Sequence, residues 1–238
     1  MNIALIGYGK MGKAIEEIAI ERGHKIVLKI NDENLEDFTK DNVMKADTAI
    51  EFSGPHSAYD NIQGIIEFGV PAVCGSTGWT ERINEINKFC KEKNGSFLYA
   101  SNFSVGVNIF FELNKKMATL MAPHTEYEIS IEEIHHTQKK DAPSGTAITL
   151  AEQILEQIKQ KKKWVNRESS DTSELSIISK REDPAPGIHT IRYSSSVDDI
   201  GIIHTAHNRK GFALGAVLAA EFIKGKKGIF SLKDVLGL

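Results

Sequence analysis

Cysteine is scarce. Two residues, Cys74 and Cys90, lie in apolar settings, and neither belongs to a C-x-x-C pair or to a spacing that ligates metal. That leaves no basis for a disulfide framework or a cysteine-built zinc centre, and reduced thiols are expected. Excess charge is also missing: 29 Lys and Arg stand against 32 Asp and Glu, a formal net charge of -3. The cations are scattered except at Lys159 to Lys163, so a nucleic-acid surface is not expected, and the cluster reads as a solvated helix end and loop. No apolar run approaches the length of a membrane span. The opening Met1 to Ile6 meets glycine at once, without the charged-then-apolar pattern of a signal peptide. These absences read as a cytoplasmic protein. Internal repeats and low-complexity tracts are absent too.

What is present is a core and an alternation. An apolar fraction of 41% over 238 residues fills one large domain or two small ones. Ile3 to Ile6 predicts a strand, Gly7 to Gly12 a glycine turn, and Met11, Ala14, Ile15, Ile18 and Ala19 a helix. Strands are predicted at Lys25 to Ile30, Thr48 to Phe52, Ala72 to Cys74 and Phe97 to Ala100, with helices ending near Gly69 and running from Thr80 to Lys93. Such alternation implies an α/β fold with a Rossmann-type parallel, doubly wound sheet.

Gly7, Gly9 and Gly12 form a G-x-G-x-x-G between strand and helix, where the missing Cβ atoms let a pyrophosphate approach backbone amides. The intervening Tyr8, Lys10 and Met11 share that loop, and Lys10 either faces a phosphate or is an exposed helix-start lysine. An acid about 20 residues on is expected to hold the ribose hydroxyls. Asp32 meets that count, while Asn31 lies nearer the strand exit and repels a 2'-phosphate less than a carboxylate would. The choice between NADH and NADPH stays open on these residues. Two further strand exits, Gly75-Ser76-Thr77 and Ala100-Ser101-Asn102-Phe103, are expected on the same sheet edge, where open α/β sheets bind ligands.

The rest of the chain predicts a second, α+β domain with a mixed or antiparallel sheet. A helix covers Ile109, Phe110, Leu113, Met117 and Leu120; a period-two strand runs from Glu126 to Ile134. Strands at Leu175 to Ile178, Ile188 to Tyr193 and Ile200 to Ala206 read as antiparallel, joined by turns. The expected division is a dinucleotide-binding domain over residues 1–103, a substrate-binding and oligomerisation domain over 104–211, and a C-terminal helix, 212–238, returning to the first. A sheet of so few strands needs cover, which a second subunit would supply.

Chemistry concentrates between Glu133 and Ala147, which includes His135, His136, Lys139, Lys140, Asp141, Pro143, Ser144, Gly145 and Thr146. The histidines leave a strand on opposite sides, one as a cleft proton carrier and the other for substrate or strand support. Lys139 suits a group that stays protonated until needed, Lys140 faces solvent, and Asp141 fixes the turn or neutralises a lysine. Ser144 reads as an N-cap, leaving the amides of Gly145 and Thr146 to cradle a carboxylate or phosphate. No metal is expected, because opposed histidines cannot share one chelate and no H-E-x-x-H helix exists. His189, His204, His207 and Arg192 cannot be placed by spacing, and an exposed strand arginine is the preferred reading of Arg192.

Together the glycine loop, Ala49-Ile50-Glu51-Phe52-Ser53, Gly75-Ser76-Thr77-Gly78, Asn102-Phe103-Ser104, the HHTQKKDAPSGTA stretch and Phe212-Ala213-Leu214-Gly215-Ala216 resemble the 4-hydroxy-tetrahydrodipicolinate reductase (dihydrodipicolinate reductase) family over nearly the whole chain. Compared with the family's usual pattern, the glycine loop is one residue shorter, Glu51 stands for an aspartate, and Asn31 stands at or beside the usual acid. The resemblance implies a cytoplasmic, usually tetrameric enzyme of lysine and diaminopimelate synthesis that reduces a cyclic imine dicarboxylate with NADH or NADPH. It carries His135 over as proton donor or acceptor, Lys139 as proton donor, and His136, Gly145 and Thr146 as substrate binders. Gly7 to Gly12, Gly75 to Thr77 and Ala100 to Phe103 carry over as cofactor contacts. Two rival readings are another two-domain nicotinamide oxidoreductase, against which the H-H-x-x-K element counts, and a catalytically silent NAD(P)H sensor, which His135 and Lys139 fit poorly.

Overall fold

The computed structural model describes residues 1–208 and 210–238. The chain divides into two compact units, Met1–Val105 with Lys210–Leu238, and Gly106–Arg209.

In the first unit, β1 (Asn2–Ile6) leads through the glycine turn into α1 (Lys10–Glu21) and β2 (Lys25–Ile30); α2 (Lys40–Val43) follows. Then come β3 (Thr48–Glu51), α3 (Ala58–Glu67), β4 (Ala72–Cys74), α4 (Ile83–Glu92) and β5 (Ser96–Tyr99). These five strands pair in parallel in the order β5-β4-β3-β1-β2. Strands buried on both faces explain the sheet's layers. Ala4, Ile6, Ala49, Ala72 and Cys74 face Ile62, Ile65 and Ile86 of α3 and α4, while Ile3, Leu5, Ile50, Val73 and Leu98 face α1. Strand order reverses between β1 and β3, so the loops after these two strands flank the switch point at which such sheets take ligands.

The second unit holds nearly all of α5 (Val105–Met121), then β6 (Glu128–His135), α6 (Gly145–Gln157), β7 (Lys163–Val165), β8 (Glu174–Arg181), β9 (Gly187–Ser194) and β10 (Asp199–Ala206). Their order is β10-β9-β6-β8-β7. The expectation that the later strands are all antiparallel neighbours needs correction: β8 pairs with β6 in parallel, and β9 pairs antiparallel with β6 on its other side. The crossover through α6 is the reason, because it returns the chain in the direction of β6. One apolar core joins α5, α6 and the sheet through Phe110, Ile131, Leu150, Ile154, Ile177 and Tyr193.

The lysine cluster also differs from expectation. After α6 ends at Gln157, Lys161 is buried, with Nζ donating to Glu128 and to the Glu174 carbonyl at 2.9 Å, and Lys163 opens β7. Finally, α7 (Lys210–Ile223) completes the core on the α1 side of the first unit through Ala213, Ala216, Val217 and Ala220. Two elements follow that periodicity did not reveal: β11 (Gly228–Phe230), parallel to β5, and α8 (Leu232–Leu236). Among the described residues no helix is long and apolar enough to cross a membrane.

Candidate active site

Parity along β6 decides the chemistry of the second unit. Ile129, Ile131, Glu133 and His135 are its buried alternation, so an acid and an imidazole occupy the last two core-facing positions. Glu133 is 0% exposed. A buried carboxylate is costly unless hydrogen-bonded or paired, and Glu133 has several partners. The Ser144 amide donates to both its oxygens, at 3.0 and 3.2 Å, and the Arg181 guanidinium stands 3.6 Å from Oε1. His135 Nδ1 lies 3.4 Å and His189 Nε2 3.7 Å from Oε2. The two imidazoles meet edge to face, 5.0 Å between centroids.

Charge in this cluster follows from burial and partners. Burial alone would raise the Glu133 carboxyl, but hydrogen bonds from Ser144 and Ser179 and the charge of His135 outweigh it and hold the group below the usual glutamate range. Burial lowers His135; Glu133 opposes that shift, while Lys139 and Arg181 reinforce it. Burial also brings His189 down to about 4, helped by His135.

The following loop is pinned from the same point. Arg181 on β8 donates to the carbonyls of Asp141 at 2.6 Å and Lys139 at 3.4 Å. Lys139 Nζ sits 2.8 Å from both oxygens of Asp141, a bond that pulls the Asp141 carboxyl below its ordinary value. Lys140 is exposed. Ser144 caps α6, its Oγ accepting from the Ala147 amide at 3.2 Å, and the first intrahelical bond runs from Ile148 N–H to the Ser144 carbonyl. The amides of Gly145 and Thr146 precede that bond, at the positive end of a 13-residue helix.

His136 has the opposite parity and is half-buried, near enough to Asp183 to lower that carboxyl after the hydrogen bonds from Thr137. Arg192 is exposed on β9, with its side chain 60% accessible. Glu133, His135 and His189 each offer a possible metal-ligand atom within 4.8 Å of one another, the only such group among the described residues. The carboxylate of this trio already accepts the Ser144 amide and faces Arg181, so the structure presents it as an ionic network. Sequence spacing missed this cluster because Glu133 and His189 face each other only through the β6–β9 register. Arg181 carried no signal of its own.

In the first unit the sites are made by omission. A Cβ on Gly7 would fall 2.4 Å from the Phe52 carbonyl and one on Gly75 2.0 Å from the Phe52 ring, whereas one on Gly9 would meet nothing within 4 Å. Gly9, the N-cap of α1, makes no side-chain cap bond, and the helix's first turn holds no acid. Tyr8 does not point free: its hydroxyl donates to Glu16, which also pairs with Lys29 at 2.6 Å. Lys10 is exposed, and Met11 packs partly on the α1 side of the core. Asn31 directly follows β2; its Oδ1 accepts from the Glu33 amide at 2.9 Å, leaving Asp32 exposed.

Ser76 is buried and its hydroxyl has no hydrogen-bond partner, although its carbonyl accepts the Trp79 indole N–H at 2.8 Å. Thr77 and Ser101 are exposed and Ala100 half-buried. Asn102 Oδ1 accepts from the Ser104 amide at 2.8 Å, and the Phe103 ring is buried against Phe52. An uncapped helix start beside an open Gly9 and an orphaned buried hydroxyl fit a dinucleotide.

The sequence and the fold have counterparts among known proteins. The family model for "Dihydrodipicolinate reductase, N-terminus" matches residues 1–103, and that for "Dihydrodipicolinate reductase, C-terminus" matches residues 106–236. A 4-hydroxy-tetrahydrodipicolinate reductase of Christiangramia forsetii is 52% identical over 99% of this chain and 98% of its own. One from Methanosarcina barkeri is 36% identical over 100% of both. In fold, the chain is similar to a dipicolinate-bound dihydrodipicolinate reductase from Paenisporosarcina sp. TG-14, with a TM-score of 0.74 over 97% of each chain at 20% identity. With both of its units matched by family models and its full length by close relatives, the chain belongs to the dihydrodipicolinate reductase family.

Proposed function

We propose that the chain reduces 4-hydroxy-2,3,4,5-tetrahydrodipicolinate to 2,3,4,5-tetrahydrodipicolinate, with loss of water and oxidation of NADH or NADPH, in lysine and diaminopimelate synthesis. The observation that carries this reading is one run of chain holding a cation, an imidazole on a buried carboxylate, and an open helix start. The amides of Gly145 and Thr146 and the α6 dipole hold one substrate carboxylate, and His136 holds the substrate from the other side of the strand exit. Loss of the hydroxyl as water leaves a conjugated ring. When bound, a reduced nicotinamide would supply the hydride. Charge then developing on the ring nitrogen or C3 is met by a proton from Lys139 or His135. Lys139 is the proton donor and His135 the donor or acceptor.

In the first unit, Gly7, Tyr8, Gly9, Lys10, Met11 and Gly12 would hold the pyrophosphate side, and Asn31 and Asp32 the ribose side. Gly75, Ser76 and Thr77, with Ala100, Ser101, Asn102 and Phe103, contact the nicotinamide end. Because its ring is buried, Phe103 contributes through its backbone. The same reading makes the protein a cytoplasmic homo-oligomer, a tetramer by family resemblance. Ile200 and Ile203, 41% and 64% exposed on the edge strand β10, support such an assembly. An absorbance assay for NADH and NADPH, with substrate made in situ from pyruvate and aspartate semialdehyde by the preceding synthase, tests the reaction. Cofactor oxidation is expected, with pyridine-2,6-dicarboxylate competing; no turnover with either cofactor would overturn the reading.

A further inference from the structure

We propose that Glu133 is the positioning residue of this site: its carboxylate holds the Nδ1–H of His135, leaving Nε2 as the proton-exchanging nitrogen, and ties that imidazole to the helix start that binds the substrate carboxylate. The inference rests on the proposed role of His135.

Three observations carry it. First, His135 Nδ1 is buried and lacks a properly aligned hydrogen-bond partner, and Glu133 Oε2 at 3.4 Å is the acceptor it faces. An imidazole nitrogen buried beside a carboxylate is stabilised as N–H, and this fixes the tautomer. Secondly, Gly187 stands beside the other ring nitrogen, where any Cβ would lie 3.2 Å from Nε2, so the missing side chain leaves that nitrogen room. Thirdly, the same carboxylate receives the Ser144 amide on both oxygens, one residue before the Gly145 and Thr146 amides. One side chain therefore sets the proton carrier and the carboxylate cradle together.

Groups facing His135 come from several elements: Glu133 on its own strand, Arg181 on β8, His189 on β9, and Lys139 and Asp141 in the loop. Only the two carboxylates favour the imidazolium. Replacing Glu133 by glutamine keeps the size but removes the nearer negative charge. His135 then protonates less readily, and the limb of the pH profile that it controls moves to lower pH.

The experiment has two arms. In the wild-type protein, nitrogen-15 NMR of the imidazoles at pH 8 is expected to show His135 as the Nδ1–H tautomer; an Nε2–H tautomer would overturn the proposal. For Glu133→Gln, turnover is expected to fall about tenfold or more, as for loss of a group that orients a proton carrier. The limb of the pH profile that His135 controls moves to lower pH, while KM for NADH stays within about twofold. Glu133→Asp, which keeps the charge, restores the limb towards its wild-type position. An unmoved limb in a folded Glu133→Gln enzyme, or a variant that loses only thermal stability, would reduce Glu133 to a structural role. If that variant does not fold, the wild-type tautomer decides. Absence of wild-type turnover would count against the reaction and not the tautomer, so the two failures are separable.

Discussion

The two units bring different materials to their proposed sites. The first removes side chains: Gly7 and Gly75 lie where any Cβ would strike Phe52, and Gly9 leaves the α1 start open. The second buries charged and polar side chains, with Glu133, His135, Ser144 and His189 packed in one network. Backbone amides cannot change protonation, whereas buried imidazoles and carboxylates respond to every neighbouring charge. Binding and proton chemistry therefore demand different materials, and each unit uses the material its proposed task requires.

Substitutions can sharpen that contrast. The largest effect is expected for Lys139→Ala: turnover falls by roughly 100- to 10,000-fold, the usual contribution of a positioned proton donor, with NADH affinity by fluorescence titration unchanged. Unaltered turnover would remove Lys139 from the chemistry. In the first unit, Gly9→Val is expected to raise KM for NADH about a hundredfold with an unchanged melting temperature, because a Cβ there meets only open space, where the proposed site seats the pyrophosphate. Gly75→Ala is expected, in addition to any effect on the cofactor, to lower the melting temperature through its clash with Phe52.

Acid tests the buried network as a whole. His189 is held down to about 4 by burial, and His135 and His204 are also lowered, so these imidazoles fold neutral. Their contribution to stability is present above the ordinary histidine value near 6.5 and is lost as pH falls from there towards 4. Melting curves at pH 7 and pH 5 are expected to show the loss, and His189→Phe is expected to reduce it. A melting temperature flat over that interval would contradict buried neutral imidazoles. The smallest effect is expected for Arg192→Ala, with turnover within about twofold of wild type, since the side chain is mostly in solvent.

Much of this was legible in the sequence, but not evenly. Local features were plain: the glycine turn, the strands at Lys25–Ile30 and Ala72–Cys74, and the Ser144 cap each depend on neighbouring residues. What depends on distant pairing was not. His189 reaches Glu133 through strand register, Arg181 reaches the loop after β6 from β8, and β8 lies parallel to β6 because of a crossover that periodicity cannot orient. Lys161 was missed for a related reason. A lysine run looks solvated until one of its members finds both a carboxylate and a carbonyl.

The pairing of β11 with β5 bears on the order of synthesis. The first unit is interrupted in sequence by the whole of the second, and it needs α7 for its core and β11 to cover the edge of β5. As the chain emerges from the ribosome, the nucleotide-binding sheet therefore waits with its α1 face only partly covered and the edge of β5 open, while the second unit, continuous in sequence, has all its strands available. The unit begun first is the one completed last.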